Sequence, residues 1–536
     1  MTKRFQLPPI PESERTPLIQ ALLAIIEALA QEVQRQEEQI GQLKDEIAVL
    51  KGEKKRPRFK PSQLDEKAGE DNLKGDDSKP AKRPGSEKRA KTAELPIHEE
   101  RPVAPERIPA GSRFKGYQDY VVQDLRIRPH NTRYRLERWQ TPEGQYVLGR
   151  LPEAVRGHHF GPILRSFILY QYYQAHVTRG VLLAQLRDWG VDISTGQLER
   201  LLTENQEAWH AEKHALLATG LDVSRQVTVD DTGARHQGQN GYTTRIGNAY
   251  FAWFQTTAHK DRLNFLRLLH GERARYAIND AALGYFREHK LPQRPLTALV
   301  SAPCRVFRKT SRWEAHLQRL GIDRARHVRV ATEGALLGGL YEKGLAEGLA
   351  IISDEAGQFD VLTHGLCWVH AERLVHKLIP LNEQHRADQQ AIRAQIWDFY
   401  AELKRYRQAP TEAVKAQLEA RFDAIFTTHT RYETLNQLLK RLHRHKAELL
   451  LVLERPDVPL HTNDAENDLR DRVKKRHISA GTRSDPGRRS WDTFASLKKT
   501  CRKLGVSFWT FLLDRVSGTH TVPPLPEIIQ ARAASP

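Results

Sequence analysis

The 536-residue sequence predicts a mixed α/β fold carrying a long all-helical insertion. Three observations lead there. Short runs of β-branched residues end in acids, as in Val227-Thr228-Val229-Asp230 and Leu349-Ala350-Ile351-Ile352-Ser353-Asp354. Strands come first in a run and then alternate with helical segments, the order of a mixed sheet. From 381 to 460 every apolar period is helical, with no strand signal.

In chain order, residues 16–50 show a heptad seam: Leu22, Ile26, Leu29, Val33, Ile40, Leu43, Ile47 and Leu50, with Gln36 in the one gap. Ile26, Val33, Ile40 and Ile47 share one seam position and the leucines the other, which favours a parallel two-stranded coiled coil. We therefore read 1–50 as a coiled-coil region that joins two or more copies of the chain. Residues 51–95, rich in Lys, Asp, Glu, Pro, Ser and Gly, bury too little apolar surface to fold and read as a disordered basic linker.

Residues 96–155 read as a small β module. Tyr117–Leu125 and Arg133–Trp139 alternate apolar and polar, and Pro142-Glu143-Gly144 is a turn. His130, His158 and His159 lie there or close by, but no cysteine does, so no zinc is expected. Residues 156–215 are helical. One helix stops at Gly190 and Ser194 caps the next, whose Leu198, Leu201 and Leu202 share a face. That layout is helix-turn-helix-like and is a place for DNA contact.

The core occupies 216–380, with strands expected at 226–230, 249–257, 297–301 and 349–354 and a helix at 263–269. The helical insertion spans 381–460 and is closed by Pro456 and Pro459. Residues 461–516 complete the core with a helix over 490–504, and 517–536 read as a loose tail.

Lys plus Arg number 84 against 66 for Asp plus Glu, a net +18 that favours a polyanionic partner, most simply nucleic acid. Three scattered cysteines exclude a disulfide framework and a four-cysteine zinc site, and point to a reducing compartment. No apolar stretch has the length of a membrane span or follows the first residues as in a signal peptide. The expectation is a cytoplasmic protein with no membrane contact.

Three acids stand out: Asp230 and Asp354 at strand ends, and Glu466 in Asn463-Asp464-Ala465-Glu466. Taken singly, such acids are turn formers or surface charges. Together they make a hard-oxygen donor set for Mg²⁺ or Mn²⁺, not zinc. Two such ions could run an in-line displacement at phosphorus. Arg470, Lys474, Lys475, Arg476 and Arg483 follow, and could hold the nucleic-acid backbone.

The contexts of these acids carry a resemblance. Val229-Asp230-Asp231-Thr232-Gly233, then Ser353-Asp354-Glu355 with Cys367-Trp368-Val369-His370 and Arg373, then Asn463 to Glu466 with Arg470 resemble the three blocks of insertion-sequence-66 type transposases. The resemblance covers about residues 110–516. It implies an RNase H-like core interrupted by a helical insertion, and Asp230, Asp354 and Glu466 as the catalytic metal ligands. It further implies cleavage at element ends to free a 3′-hydroxyl, which then attacks target DNA, with accessory transposition proteins as further partners. Asp231, Cys367, His370, Arg373 and Asn463 would be signature residues near the site. Here Asp231 stands where the family usually has Glu, and the cysteine-bearing zinc finger of many members has no cysteines. A transposase-derived binder that no longer cuts, or a metal-dependent nuclease without strand transfer, are the alternatives.

Overall fold

The computed structural model describes residue 16, residues 96–345 and residues 348–534. The coiled coil expected in 16–50 and the linker expected in 51–95 lie outside the described residues, save Thr16. The described part falls into two units, 96–127 and 128–534. The first contains no helix or strand.

The second unit is built on one five-stranded sheet. Its strands are β1 (Gln226–His236), β2 (Gln239–Gly247), β3 (Ala252–Thr257), β4 (Ala350–Ser353) and β5 (Thr363–Leu366). The spatial order is β3-β2-β1-β4-β5. The first three form an antiparallel meander, while β4 runs parallel to β1 and β5 parallel to β4. The two faces differ in chemistry because side chains alternate along a strand. Val227, Val229, Ile246, Trp253 and Ile351 belong to the large apolar core. Thr228, Asp230 and Arg245 belong to the opposite face, where Thr228 and Arg245 bond helix α2 (Asn463–Ser479).

Helix α3 (Asp485–Lys503) closes the β3 edge by a match of spacings. Alternate strand N–H groups recur every ~6.7 Å and every fourth helical residue every ~6 Å. Accordingly Thr256 N–H donates to Asp492 (2.8 Å), Phe254 N–H to Ser496 Oγ (2.9 Å) and Ala252 N–H to Thr500 Oγ1 (3.2 Å). An open edge would be a template for unwanted pairing.

Several expectations are met and others corrected. Ser194 makes a capping box with Gln197 at the start of Thr195–Thr203, and Gly190 ends the preceding segment at φ +80°. Residues 381–460 contain helices and no strand, the longest being Glu383–Gln408. Residues 297–301, read as a strand, are the last turn of helix Gln293–Ser301. Strands β2 and β5 were not foreseen. Residues 117–125 form no strand; a hairpin of Arg138–Gln140 and Tyr146–Leu148 is the only pairing between 96 and 155. The tail, expected to be loose, forms helix Leu525–Ala534 and buries Leu525 and Ile529.

Candidate active site

The β1–β4 register sets the first two acids. Gln226 pairs with Ala350 and Thr228 with Ile352. Two residues further the same register carries Asp354, just past the end of β4, to the level of Asp230 on the same face. Asp230 itself lies within β1, paired with Arg245, and not at a strand end as expected, because β1 runs on to His236 along β2. Both acids follow buried apolar residues, Val227 and Val229 in β1 and Ile351 and Ile352 in β4. Burial and the Asp354 carboxylate push Asp230 up to about 7, against the Asp231 N–H it accepts (2.7 Å) and the nearby His370. Burial likewise raises Asp231, while Lys260 and the Gln358 amide, which donates to it at 2.9 Å, hold it down. Asp354 Oδ1 also accepts from Ala356 N–H (3.1 Å), a tight turn that fixes the carboxylate.

Helix α2 is anchored to the sheet through Arg245, the β2 partner of Asp230. This fully buried guanidinium donates to Asp464 (3.0 Å) and Asp468 (2.9 Å), one turn apart on α2, and to the carbonyls of Thr228 and Gly247. Burial opposes the Asp464 charge, but Arg245, Lys503 and the Thr228 hydroxyl outweigh it and hold the pKa down. Glu466 lies between those anchors in sequence and turns to another neighbour. Arg373 Nη1 and Nη2 donate to its two oxygens at 2.6 and 3.2 Å, and His370 Nε2 stands 3.5 Å from Oε1.

His370 and Arg373 share a face of helix α1 (Trp368–Lys377), which starts where β5 ends. Its N-cap, Cys367, receives the Thr462 N–H on sulfur (3.4 Å), so the starts of α1 and α2 are tied together. Burial disfavours charge on both Cys367 and His370. Their mutual hydrogen bond overrides it, lowering the thiol and, with Glu466 and Asp354, raising the imidazole. The insertion supports this corner: Arg393 pairs with Glu372 at 2.5 Å, and Arg441 and His445 pair with Glu355 at 3.1 and 3.3 Å.

The structure therefore brings Asp230 and Asp354 together directly and links Glu466 to them through His370. Among the described residues, no group of three or more His, Cys, Asp or Glu stands close enough to hold a metal ion. The donor chemistry nevertheless fits a hard divalent cation. Burial together with the neighbouring Asp354 carboxylate raises Asp230, and a third carboxylate, Glu466, ends on a cation, Arg373. Asn463 is the first residue of α2.

Of the basic residues, Arg470, Lys474 and Arg483 are exposed, and Arg476 donates to the Gly233 carbonyl. Lys475 corrects the expectation of a phosphate contact. It is buried, with Nζ 4.1 Å from the Tyr172 ring centroid, and burial lowers its pKa to about 8. Sequence reading missed Arg245, Gln358 and Lys260. Only their polar character inside a strand-and-turn region could have flagged them.

A family model described as "Transposase IS66 family" matches residues 352–490, the stretch holding Asp354, the insertion and Glu466. Protein y4jO of Sinorhizobium fredii (strain NBRC 101917 / NGR234), itself uncharacterized, is 44% identical over 321 residues, 59% of this chain and all of that protein. No helix among the described residues is long and apolar enough to cross a membrane. With the spacing of its three acidic blocks and this match, the chain belongs to the IS66 transposase family.

Proposed function

We propose that the protein is a DNA transposase of the Asp-Asp-Glu class, built on an RNase H-like core. The observation that carries this reading is the β1–β4 register, which sets Asp354 beside Asp230 on the face that α2 crosses with Glu466. The sheet order, an antiparallel meander followed by two parallel strands, supports the core assignment.

In this reading Asp230, Asp354 and Glu466 would hold two Mg²⁺ or Mn²⁺ ions, and zinc has no part. Such ions, when bound, activate the attacking oxygen and stabilise the leaving oxygen of an in-line displacement at phosphorus. The chain's own groups do the rest. Asp231, held by Gln358 and Lys260, stands next to Asp230 within β1. His370 and Arg373 orient Glu466 from α1. Arg470, Lys474, Arg476 and Arg483 bind backbone phosphates of element ends and target. The helices Arg179–Asp188 and Thr195–Thr203 contribute DNA recognition. The 16–50 seam pairs copies of the chain, accessory proteins join the assembly, and the site of action is the bacterial cytoplasm at the nucleoid.

The test is nicking of DNA carrying the element ends, with Mg²⁺. Asp354→Asn and Glu466→Gln should abolish strand cleavage while end binding survives. Cleavage by either variant would sink the assignment. Binding without cleavage by the wild type would favour the non-cutting binder, and cleavage without end joining the plain nuclease.

A further inference from the structure

A cleft of about 600 Å³ opens between α2 and α3. Its floor holds Asp464, Asp468 and Asp471, which by themselves would repel an anion. Each is already matched. Arg245 and Lys503 reach Asp464 at 3.0 and 3.8 Å and Asp468 at 2.9 and 3.3 Å. Lys498 and Lys499 reach Asp471 at 2.8 and 3.5 Å. The floor is thus electrically closed, and what the cleft presents outward is its rim.

The rim carries Arg470 and Lys474 from α2 and Arg502 from α3. All three are exposed, and among the described residues none has a carboxylate within ion-pair distance. Three unmatched cations facing one another across a polar groove attract a chain of anions. No aromatic ring lines the cleft, so bases have nothing to stack on and contact is confined to backbone phosphates. Arg470 also lies one turn beyond Glu466 on α2, so the rim begins beside the site and leads away from it.

We propose that this cleft is a sequence-independent track for the DNA backbone leaving the active site, with Arg502 on its far wall. This rests on the DNA-processing reading above and extends it to α3, which supplies the edge seal of the sheet and one wall of the track.

The experiment measures binding of a short labelled duplex of random sequence to the full chain by fluorescence anisotropy across a salt series. Arg502→Ala and Lys474→Ala/Arg502→Ala are compared with Arg294→Ala, an exposed cation on another helix. Losing one phosphate contact flattens the plot of log affinity against log salt by about 0.9, and losing two by about 1.8. The expected result is those reductions in the cleft variants, with the wild-type slope in Arg294→Ala and an unchanged melting temperature in all. Wild-type slopes in the cleft variants, or equal flattening in Arg294→Ala, would overturn the track. Mg²⁺-dependent nicking by the same wild-type sample is read in parallel. If nicking is absent while the slopes change as stated, the track stands and the transposase reading falls. If nicking is present while the slopes do not change, the reverse holds.

Discussion

Arg245→Met tests what holds Glu466 in place. The substitution keeps most of the side-chain volume but removes the charge that joins β2 to α2. Breaking a buried ion pair costs about 3–5 kcal/mol, because the partner charge is stranded. Here the stranding is partial. Asp468 keeps Lys503 at 3.3 Å and Lys499 at 3.9 Å, and Asp464 keeps the Thr228 hydroxyl at 3.0 Å with its side chain 36% exposed. The lower end applies, about 3 kcal/mol, including the carbonyls of Thr228 and Gly247 that lose their donor. The assay is urea unfolding of the full chain followed by tryptophan fluorescence. Adding Asp468→Asn takes from Lys499 and Lys503 the carboxylate they share, so it should bring no recovery. A loss below about 1 kcal/mol for Arg245→Met, or recovery in the double variant, would refute the reasoning, since a net neutral hydrogen bond alone is worth about that much.

Three further outcomes follow from the same structure. Burial, with Lys343 and against a hydrogen bond to the Leu336 carbonyl, lowers His270 to about 4. Its unfolded value is about 6.5, so the folded state resists protonation, and stability present above that pH is lost as pH falls towards 4, by up to about 3 kcal/mol. His270→Asn should narrow the loss in a pH series of melting curves, and a pH-independent difference from wild type would contradict it. Ser496→Ala leaves the buried Phe254 N–H without its 2.9 Å acceptor and should cost about 1–3 kcal/mol in urea unfolding; a neutral result would mean the β3 edge is not sealed in this way. Mg²⁺ at a hundredfold excess over its dissociation constant should stabilise the wild type by about 2.7 kcal/mol, and Asp354→Asn much less, by calorimetry. Equal shifts would place the ions elsewhere.

The parts legible in the sequence were those where one simple pattern decides the local structure. β1 and β4 announce themselves because their β-branched residues are buried in the sheet. Ser194 announces a helix start because its hydroxyl has a backbone donor to satisfy. β2 was hidden because its sequence, Gln239 to Gly247, is polar. It is buried nonetheless, since Thr243 bonds Thr256 across the sheet and Arg245 finds its acids on α2. Residues 297–301 misled because a short apolar run has no readable period, and Pro292 just upstream in fact begins the helix. Lys475 misled because charge in sequence carries no direction. The neighbouring Lys474 faces water, while Lys475 turns under Tyr172 and Trp491. The tail folds because Glu212, far away in sequence, accepts from Leu525 N–H at 3.0 Å and Arg515 donates to the Val522 and Pro523 carbonyls.

The placement of Glu466 follows from the register of α2, and Arg245 holds that register. Turning the helix by one residue rotates every side chain by about 100° and would replace Glu466 with Ala465 or Asn467. Arg245 needs two carboxylates one turn apart to match its fork. Within α2 only Asp464 and Asp468 stand four residues apart as acids. A turn of one residue either way leaves the buried guanidinium facing Ala465 and Leu469 or Asn463 and Asn467, at a cost of several kcal/mol, about that of stranding a buried charge. The sheet side of the helix thus fixes its rotation, and Arg373 takes up the carboxylate that this rotation presents. Glu466 is thus placed by Arg245, Asp464 and Asp468 on one side of α2 and received by Arg373 on the other, which is why its own neighbourhood in the sequence shows the acid but not where it points.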